Sequence, residues 1–384
     1  TEKFMSFFKV LATSANTQGR TGLLEFHGLK VDTPVFMPVG TYGMIRTLTA
    51  QDVEQCGYNL ILNNAYHLYL RPGLEILSDT GGIAEYTRWK GGVLTDSGGF
   101  QIYSLSGFRK ITDEGVYFRN HLDGSYHTFT PTGTVDIQRV IGSHIIMPLD
   151  ECTASGIDKP DATKAMQRTH RWAKIQKEYN DQFEERQFLF GIVQGNMYED
   201  LRQESARALV DMDFDGYSIG GLSVGEEKPI MYHLTGICTE LLPKNKPRYL
   251  MGVGAPEDIV EAVDRGIDMF DCVFPTRNAR NATVFTKKGR VQLKNNAHDK
   301  DYSPIEEDCP CFTCRNYSRS YLRHMFKLNE IVVHRLSTIH NLVYWNRLMQ
   351  DIRRALQSNR YPEFKKEFYQ YYQKQEGIHE EMEI

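Results

Sequence analysis

The sequence predicts an α/β chain built as a (β/α)8 TIM barrel, with an N-terminal β lid before it and a cysteine-bearing subdomain near the C-terminus. Three observations carry this. Eight short apolar runs recur, each ending on a polar or glycine residue, with helical stretches between most of them. Helix starts fall between the runs: Thr49-Ala-Gln-Asp52 reads as a capping box, and Ala255-Pro-Glu-Asp258 puts proline and acids in a first turn. At 384 residues and 41% hydrophobic side chains, the chain is as long as barrels with insertions and can fill a large core. A doubly wound sheet is the alternative arrangement of the same units.

In order, the runs are Val35–Val39, Asn59–Leu62, Gly92–Thr95, Ile145–Leu149, Phe188–Val193, Gly216–Ile219, Arg248–Met251 and Met269–Phe270. They place the barrel over residues 35–284 of a single domain, 1–384. Residues 6–34 form the expected lid, with Gly19-Arg-Thr-Gly22 as a turn, and residues 115–130 an expected hairpin turning at Asp123-Gly124. Residues 285–384 carry basic loops, a cysteine cluster and amphipathic helices, among them Asn341–Leu356 and a charged surface helix over Tyr361–Ile384.

The residues that follow the runs are Gly40, Asn63-Asn64, Asp96, Asp150, Gln194, Gly220-Gly221, Gly252 and Asp271. In a barrel the C-terminal strand ends form the mouth of the active site, so three carboxylates converge on one pocket. The stretch Asp271-Cys-Val-Phe-Pro-Thr-Arg-Asn-Ala-Arg280 reads as a strand delivering a carboxylate, ended by proline and followed by Arg277 and Arg280. A carboxylate among apolar neighbours serves as nucleophile or base, and paired guanidiniums suit phosphates or base edges. A structural Asp before a solvated loop is the plainer reading of that segment alone.

Cys309-Pro-Cys311-Phe-Thr-Cys314 is followed by His324, His334 and His340. Three thiolates and one imidazole make a closed tetrahedral set for a structural Zn2+, with no open position for chemistry. Spacing alone does not choose the histidine. The other cysteines, Cys56, Cys152, Cys238 and Cys272, are scattered, which argues against a secreted disulfide framework. Net charge is −4, yet Arg277–Trp345 holds 12 Lys and Arg against 6 Asp and Glu, a basic module on an acidic body. No run of eighteen apolar residues spans a membrane and Thr1-Glu-Lys-Phe-Met lacks a signal pattern, so a soluble cytoplasmic enzyme is expected.

Taken together, Thr95-Asp-Ser-Gly-Gly-Phe-Gln101, Gly191-Ile-Val-Gln-Gly195, Gly220-Gly-Leu-Ser-Val-Gly-Glu226, Asp271-Cys-Val-Phe-Pro-Thr-Arg277 and the Cys-x-Cys-x2-Cys…His cluster resemble the tRNA-guanine transglycosylase family. The motifs stand in family order from about Phe7 to beyond His340. The resemblance implies exchange of guanine for a 7-deazaguanine base at the wobble position of tRNAs with GUN anticodons, those for Asp, Asn, His and Tyr. It implies Asp271 as nucleophile, Asp96 as general acid/base, and Asp150 and Gln194 gripping the purine with backbone at Gly221 and Leu222. Phe100 and Met251 would sandwich the base, and Asn64 would supply an amide near the nucleophile. Arg277 and Arg280 would contact flanking nucleotides, His340 would be the fourth zinc ligand, and the enzyme would be a homodimer, with Tyr317, Tyr321 and His324 candidates for the contact.

Cys152 and Val224 are similar to the bacterial type, which takes preQ1, whereas relatives using queuine resemble glycine at the Val224 position. Asn63 and Asn281-Ala-Thr283 depart from the commonest bacterial wording, which leaves direct use of queuine open. A non-catalytic subunit of the same fold should lack one of the two catalytic aspartates, and both are present. A carbohydrate-cleaving barrel would explain neither the cysteine cluster nor the two arginines.

Overall fold

A computed structural model describes residues 7–105 and 107–372. Its centre is a closed barrel of eight parallel strands. These are β1 (Val35–Gly40), β2 (Leu60–Asn63), β3 (Gly92–Thr95), β4 (Ile145–Ile146), β5 (Phe188–Val193), β6 (Gly216–Ile219), β7 (Arg248–Leu250) and β8 (Met269–Cys272), with β8 pairing back on β1. Each coincides with one predicted run. The runs read as continuous apolar stretches because both strand faces are buried, one against the barrel interior and one against helices. Met37, Leu62, Leu94, Met147, Ile192 and Tyr249 are among the residues filling the interior.

Two strands differ from expectation. β8 continues through Asp271, which pairs with Met37, and Cys272. Pro275 therefore does not end a strand. It sits in the first turn of a helix, Phe274–Arg280, where its missing N–H costs nothing, and Arg277 and Arg280 lie on that helix rather than in a loop. β4 is only two residues long. Beyond it the Gln138 side chain accepts from the Met147 N–H at 3.0 Å and donates to the Met147 carbonyl at 2.9 Å. Gln176 likewise accepts from the Leu149 N–H at 2.8 Å. Two buried helix glutamines thus stand in for a neighbouring strand and deliver Asp150 to the mouth.

The N-terminal strands, Phe8–Thr13, Arg20–Phe26 and Leu29–Thr33, form an antiparallel sheet. Phe8, Leu24, Phe26 and Val31 join the interior cluster of the barrel, and Phe7 stacks on Phe188, the first residue of β5, at 3.9 Å. The sheet thus closes the N-terminal end of the barrel, opposite the mouth, so it is a floor rather than a lid over the site. Its first turn is Ser14–Gly19, closed by the Ser14 N–H on the Gly19 carbonyl, not Gly19–Gly22. Gly22 is a packing glycine: a Cβ there would stand 2.6 Å from the Phe8 ring.

Strands Arg109–Ile111, Val116–Arg119 and Tyr126–Phe129 make a second antiparallel sheet between β3 and β4, so the expected hairpin gains a third strand. The Thr49–Asp52 capping box is present, and Asp52 also pairs with Arg335 of the helix Ile331–Gln357. That helix begins ten positions before the expected start at Asn341, because Val333, Leu336 and Ser337 are already buried. A further helix covers Tyr361–Tyr371, and residues 373–384 of the expected surface helix lie outside the described residues. No helix among the described residues is long and apolar enough to cross a membrane.

Candidate active site

The mouth gathers Asp96, Asp150, Gln194, Gly220–Gly221 and Asp271 from the C-terminal ends of β3, β4, β5, β6 and β8. Asp271 accepts a 2.5 Å hydrogen bond from the Tyr249 hydroxyl and a 2.8 Å bond from the Gly252 N–H. Both fall on Oδ1, and no hydrogen bond from the described residues occupies Oδ2. Burial raises the Asp271 carboxyl above its ordinary value, while Tyr249 and Gly252 pull it down. Tyr249 was not legible as a site residue, because in an apolar run a tyrosine reads as core.

Asp96 is held by the Asn64 amide at 2.5 Å and the Ala65 N–H at 2.9 Å. Asn64 thus supports the expected acid/base, not the nucleophile. Burial pushes the Asp96 carboxyl up to about 6, opposed by hydrogen bonds from Asn64, Ala65 and Gln101 and reinforced by the charge of Asp271. A carboxyl of this kind gains and loses a proton near neutrality, as proton transfer requires. The glycines behind it have packing reasons. A Cβ on Gly98 would meet Tyr66 at 2.9 Å, and one on Gly99 would meet the Asp150 carbonyl at 2.9 Å. The helix Gly99–Leu105 can therefore lie against Asp150, with Phe100 projecting from it 46% exposed.

Asp150 accepts from the Gln194 amide at 2.7 Å and from the Cys152 thiol at 3.5 Å, and burial raises its carboxyl as well. The Gln194 amide needs both glycines after β6: a Cβ would come within 2.9 Å of it at Gly220 and 2.6 Å at Gly221. Below them lies Arg202, fully buried, which donates to the carbonyls of Val193, Asn196, Gly220 and Gly221. It fixes the loops after β5 and β6, and a lone arginine in a helix carried no signal of that. Leu222 is buried beside Gly221, and Met251 packs on the interior cluster. Val224 is half-buried, its N–H held by Glu226 at 2.9 Å. The buried Asn63 donates to the Gly40 carbonyl at 2.6 Å, while Ala282 occupies a left-handed turn with φ 65°.

Arg277 is exposed, and Arg280 is partly buried with one N–H on the Thr276 carbonyl. Burial, then the charges of Arg46 and Arg277, hold the Arg280 guanidinium below its ordinary value. Arg46, in the loop after β1, is thus a third cation near the pair that the spacing did not show.

The cysteine cluster closes as a unit. The ligand atoms of Cys309, Cys311, Cys314 and His340 lie within 4.8 Å of one another. The three sulfurs stand 3.7, 3.6 and 3.3 Å from His340 Nδ1. Tetrahedral zinc bonded to sulfur and nitrogen separates such atoms by about 3.6 Å, so the donor set and its spacing fit that ion. His340 Nε2 is 2.8 Å from the Phe285 carbonyl, which holds the proton there and leaves Nδ1 for the metal. His334 packs edge-on to Phe326, outside the cluster. Asn341, next in the chain, bonds Phe285, Thr283 and Pro275, tying the cluster to the helix behind Asp271.

The sequence profile of the family described as queuine tRNA-ribosyltransferase matches residues 15–374. The chain belongs to this family. A queuine tRNA-ribosyltransferase of Thermoanaerobacter pseudethanolicus is 51% identical over 366 residues, covering 95% of this chain and 97% of the relative. That of Thermodesulfovibrio yellowstonii is 47% identical over 381 residues, covering 98% of this chain and 99% of the relative. This member of the queuine tRNA-ribosyltransferase family is therefore an enzyme, as the paired aspartates at the barrel mouth imply.

Proposed function

We propose that this enzyme exchanges guanine at the wobble position of GUN-anticodon tRNAs for preQ1 through a covalent aspartyl-ribose intermediate. The observation that carries it is the convergence of three carboxylates with three different sets of partners at one mouth. Asp271 Oδ2 attacks C1′, the bond from C1′ to N9 breaks, and the electron pair leaves with guanine. Asp96 supplies the proton that neutralises the departing base. The incoming base then returns a proton to Asp96 while its nitrogen attacks C1′ and displaces Asp271. No ATP is consumed. Asp150 accepts from the ring N–H and exocyclic amino group, the Gln194 amide and the backbone at Gly221 and Leu222 hold the opposite edge, and Phe100 and Met251 cover the two faces. Arg277 and Arg280 hold neighbouring phosphates or bases.

Preference for preQ1 over queuine rests on Val224. Its branched side chain narrows the pocket where a cyclopentenediol would extend, and an overpacked site rejects the larger ligand. Zinc on the three cysteines and His340 is structural. A homodimer is supported by the family and by Tyr317 and Tyr321, which stack at 5.0 Å with Tyr321 exposed; a monomer by light scattering at micromolar concentration would remove that part.

Exchange assays on guanine-labelled tRNA, offering preQ1, preQ0 and queuine in parallel, test the reading. The highest kcat/KM is expected for preQ1, and Val224→Gly should move the ratio toward queuine. A wild type that already prefers queuine defeats the steric argument, and a wild type with no exchange defeats the reaction.

A further inference from the structure

The sheet inserted between β3 and β4 has one face with no role in the reaction described. Its middle strand alternates cleanly: Val116 and Phe118 are buried, Phe118 against Tyr66 and Phe129, while Tyr117 and Arg119 point outward. On that outer face Tyr117 and Tyr126 lie parallel, centroids 5.2 Å apart and planes 5° apart, with Phe108 edge-on to both. All three are exposed, at 39%, 54% and 48%. Lys110 is the cross-strand neighbour of Tyr117, and Arg119 that of Tyr126. The three strands contain no Asp or Glu. Of the three acids in the turns, Asp113 is taken up by Arg168 and Arg171, Asp123 by its own Ser125, and the exposed Glu114 bonds Thr112.

We propose that this face is a stacking platform for unpaired nucleotides of the tRNA substrate, outside the base that enters the mouth. Exposed aromatic planes on an antiparallel sheet, flanked by cations, offer the two things single-stranded RNA binds: π faces for bases and positive charge for phosphates. Position agrees, because the chain runs from Asp96 through the helix bearing Phe100 directly into Phe108. The inner face of the sheet rests on the segment after β2, through Tyr69 against Phe129 and His127. Strands that carry cations and no acids also suit a polyanion better than a second copy of this acidic chain. The proposal rests on the tRNA reading above.

Equilibrium binding of fluorescent full-length tRNA and guanine exchange are measured on the same preparations of full-length protein. The doubly substituted Tyr117→Ala, Tyr126→Ala protein should bind tRNA about tenfold or more weakly and show a matching rise in KM for tRNA. Its kcat, its KM for the free base and its melting temperature should stay at wild-type values. Tyr117→Phe with Tyr126→Phe should restore binding, since stacking needs the ring and not the hydroxyl. Lys110→Glu with Arg119→Glu should weaken binding and flatten its salt dependence. A wild type that binds tRNA through these tyrosines yet exchanges no base would leave the platform standing and remove the reaction. Unchanged tRNA affinity in the alanine protein overturns the platform, and so does a shift of that protein to a smaller sedimenting species, which would make the face an interface between copies.

Discussion

Asp268 and Asp271 stand three residues apart at opposite ends of one strand, and they live in opposite chemistries. Asp268, at the floor, is fully buried and takes both nitrogens of a bidentate Arg20, at 2.9 and 2.6 Å, plus the Arg248 N–H at 2.8 Å. Every lone pair of use is satisfied and the charge is neutralised in place. Asp271, at the mouth, has no cation among its bonded partners, only a phenol and one backbone N–H, both on one oxygen. A barrel can hold a carboxylate either way. The floor spends its aspartate on closure, whereas the mouth keeps one oxygen free and accepts the cost of a raised carboxyl. That division matches the rule that strand C-termini carry chemistry and N-termini carry stability.

The sharpest break of this comparison exchanges the two losses. Asp271→Asn should abolish base exchange while the melting temperature changes little, because volume is kept and no partner charge is stranded. Asp268→Asn should do the reverse: stability falls by about 3–5 kcal/mol, since Arg20 is left buried and unpaired. Activity per folded molecule should survive in that protein. Thermal melts beside exchange rates, read on both proteins, would sink the contrast if the two profiles came out alike.

The cysteine cluster extends the contrast to a third region. Cys311→Ser should drop bound metal from about one per chain to near zero and lower the melting temperature by roughly 10 °C, because structural zinc binding is folding energy. His334→Ala should leave the metal in place. Retained zinc in the first protein, or loss in the second, contradicts the ligand set.

Smaller effects test how the mouth is tuned. Tyr249→Phe removes a hydrogen bond to a charged group and should slow the glycosidic step about tenfold. It also removes a bond that favours the ionised form, so the acidic limb of the pH–rate profile should move to higher pH. An unmoved limb would assign Tyr249 to packing only. For Asp96, the folded value of about 6 lies above the ordinary 3.8. Protonated Asp96 therefore stabilises the fold at low pH, and that contribution is lost as pH rises through about 6. Asp96→Asn should accordingly be inactive, yet gain stability over wild type at about pH 8 and not at about pH 4. Equal melting differences at both pH values would mean that Asp96 does not ionise in that window.

Much of this was legible in the sequence, for a physical reason. Strands buried on both faces must be apolar throughout, so all eight announced themselves, and polar residues just after them marked the mouth. The cysteine spacing announced the cluster, since only side chains brought within a few ångströms can share one ion. What escaped were side chains doing backbone work from helices. Gln138 and Gln176 complete β4, and Arg202 holds four carbonyls, and no local pattern separates such residues from surface polar ones. The N-terminal strands read as a lid because period-2 alternation fixes which face is apolar but not which end of the barrel receives it. Pro275 reads as ending a strand, although proline is equally at home in a first helical turn, so the helix that carries Arg277 and Arg280 has no signal of its own.

The carboxylate at the mouth end of β8 is expected to form a covalent bond to the ribose, and the one at the floor end is not. Wild-type enzyme, Asp271→Asn and Asp268→Asn are incubated with tRNA and a 7-deazaguanine inhibitor, then resolved on denaturing gels, with the linked residue located by mass spectrometry. A tRNA-linked band is expected from wild type and from folded Asp268→Asn, attached at Asp271, and none from Asp271→Asn. A band of undiminished intensity from Asp271→Asn, or attachment at Asp96 or Asp150 in the wild type, would contradict the account.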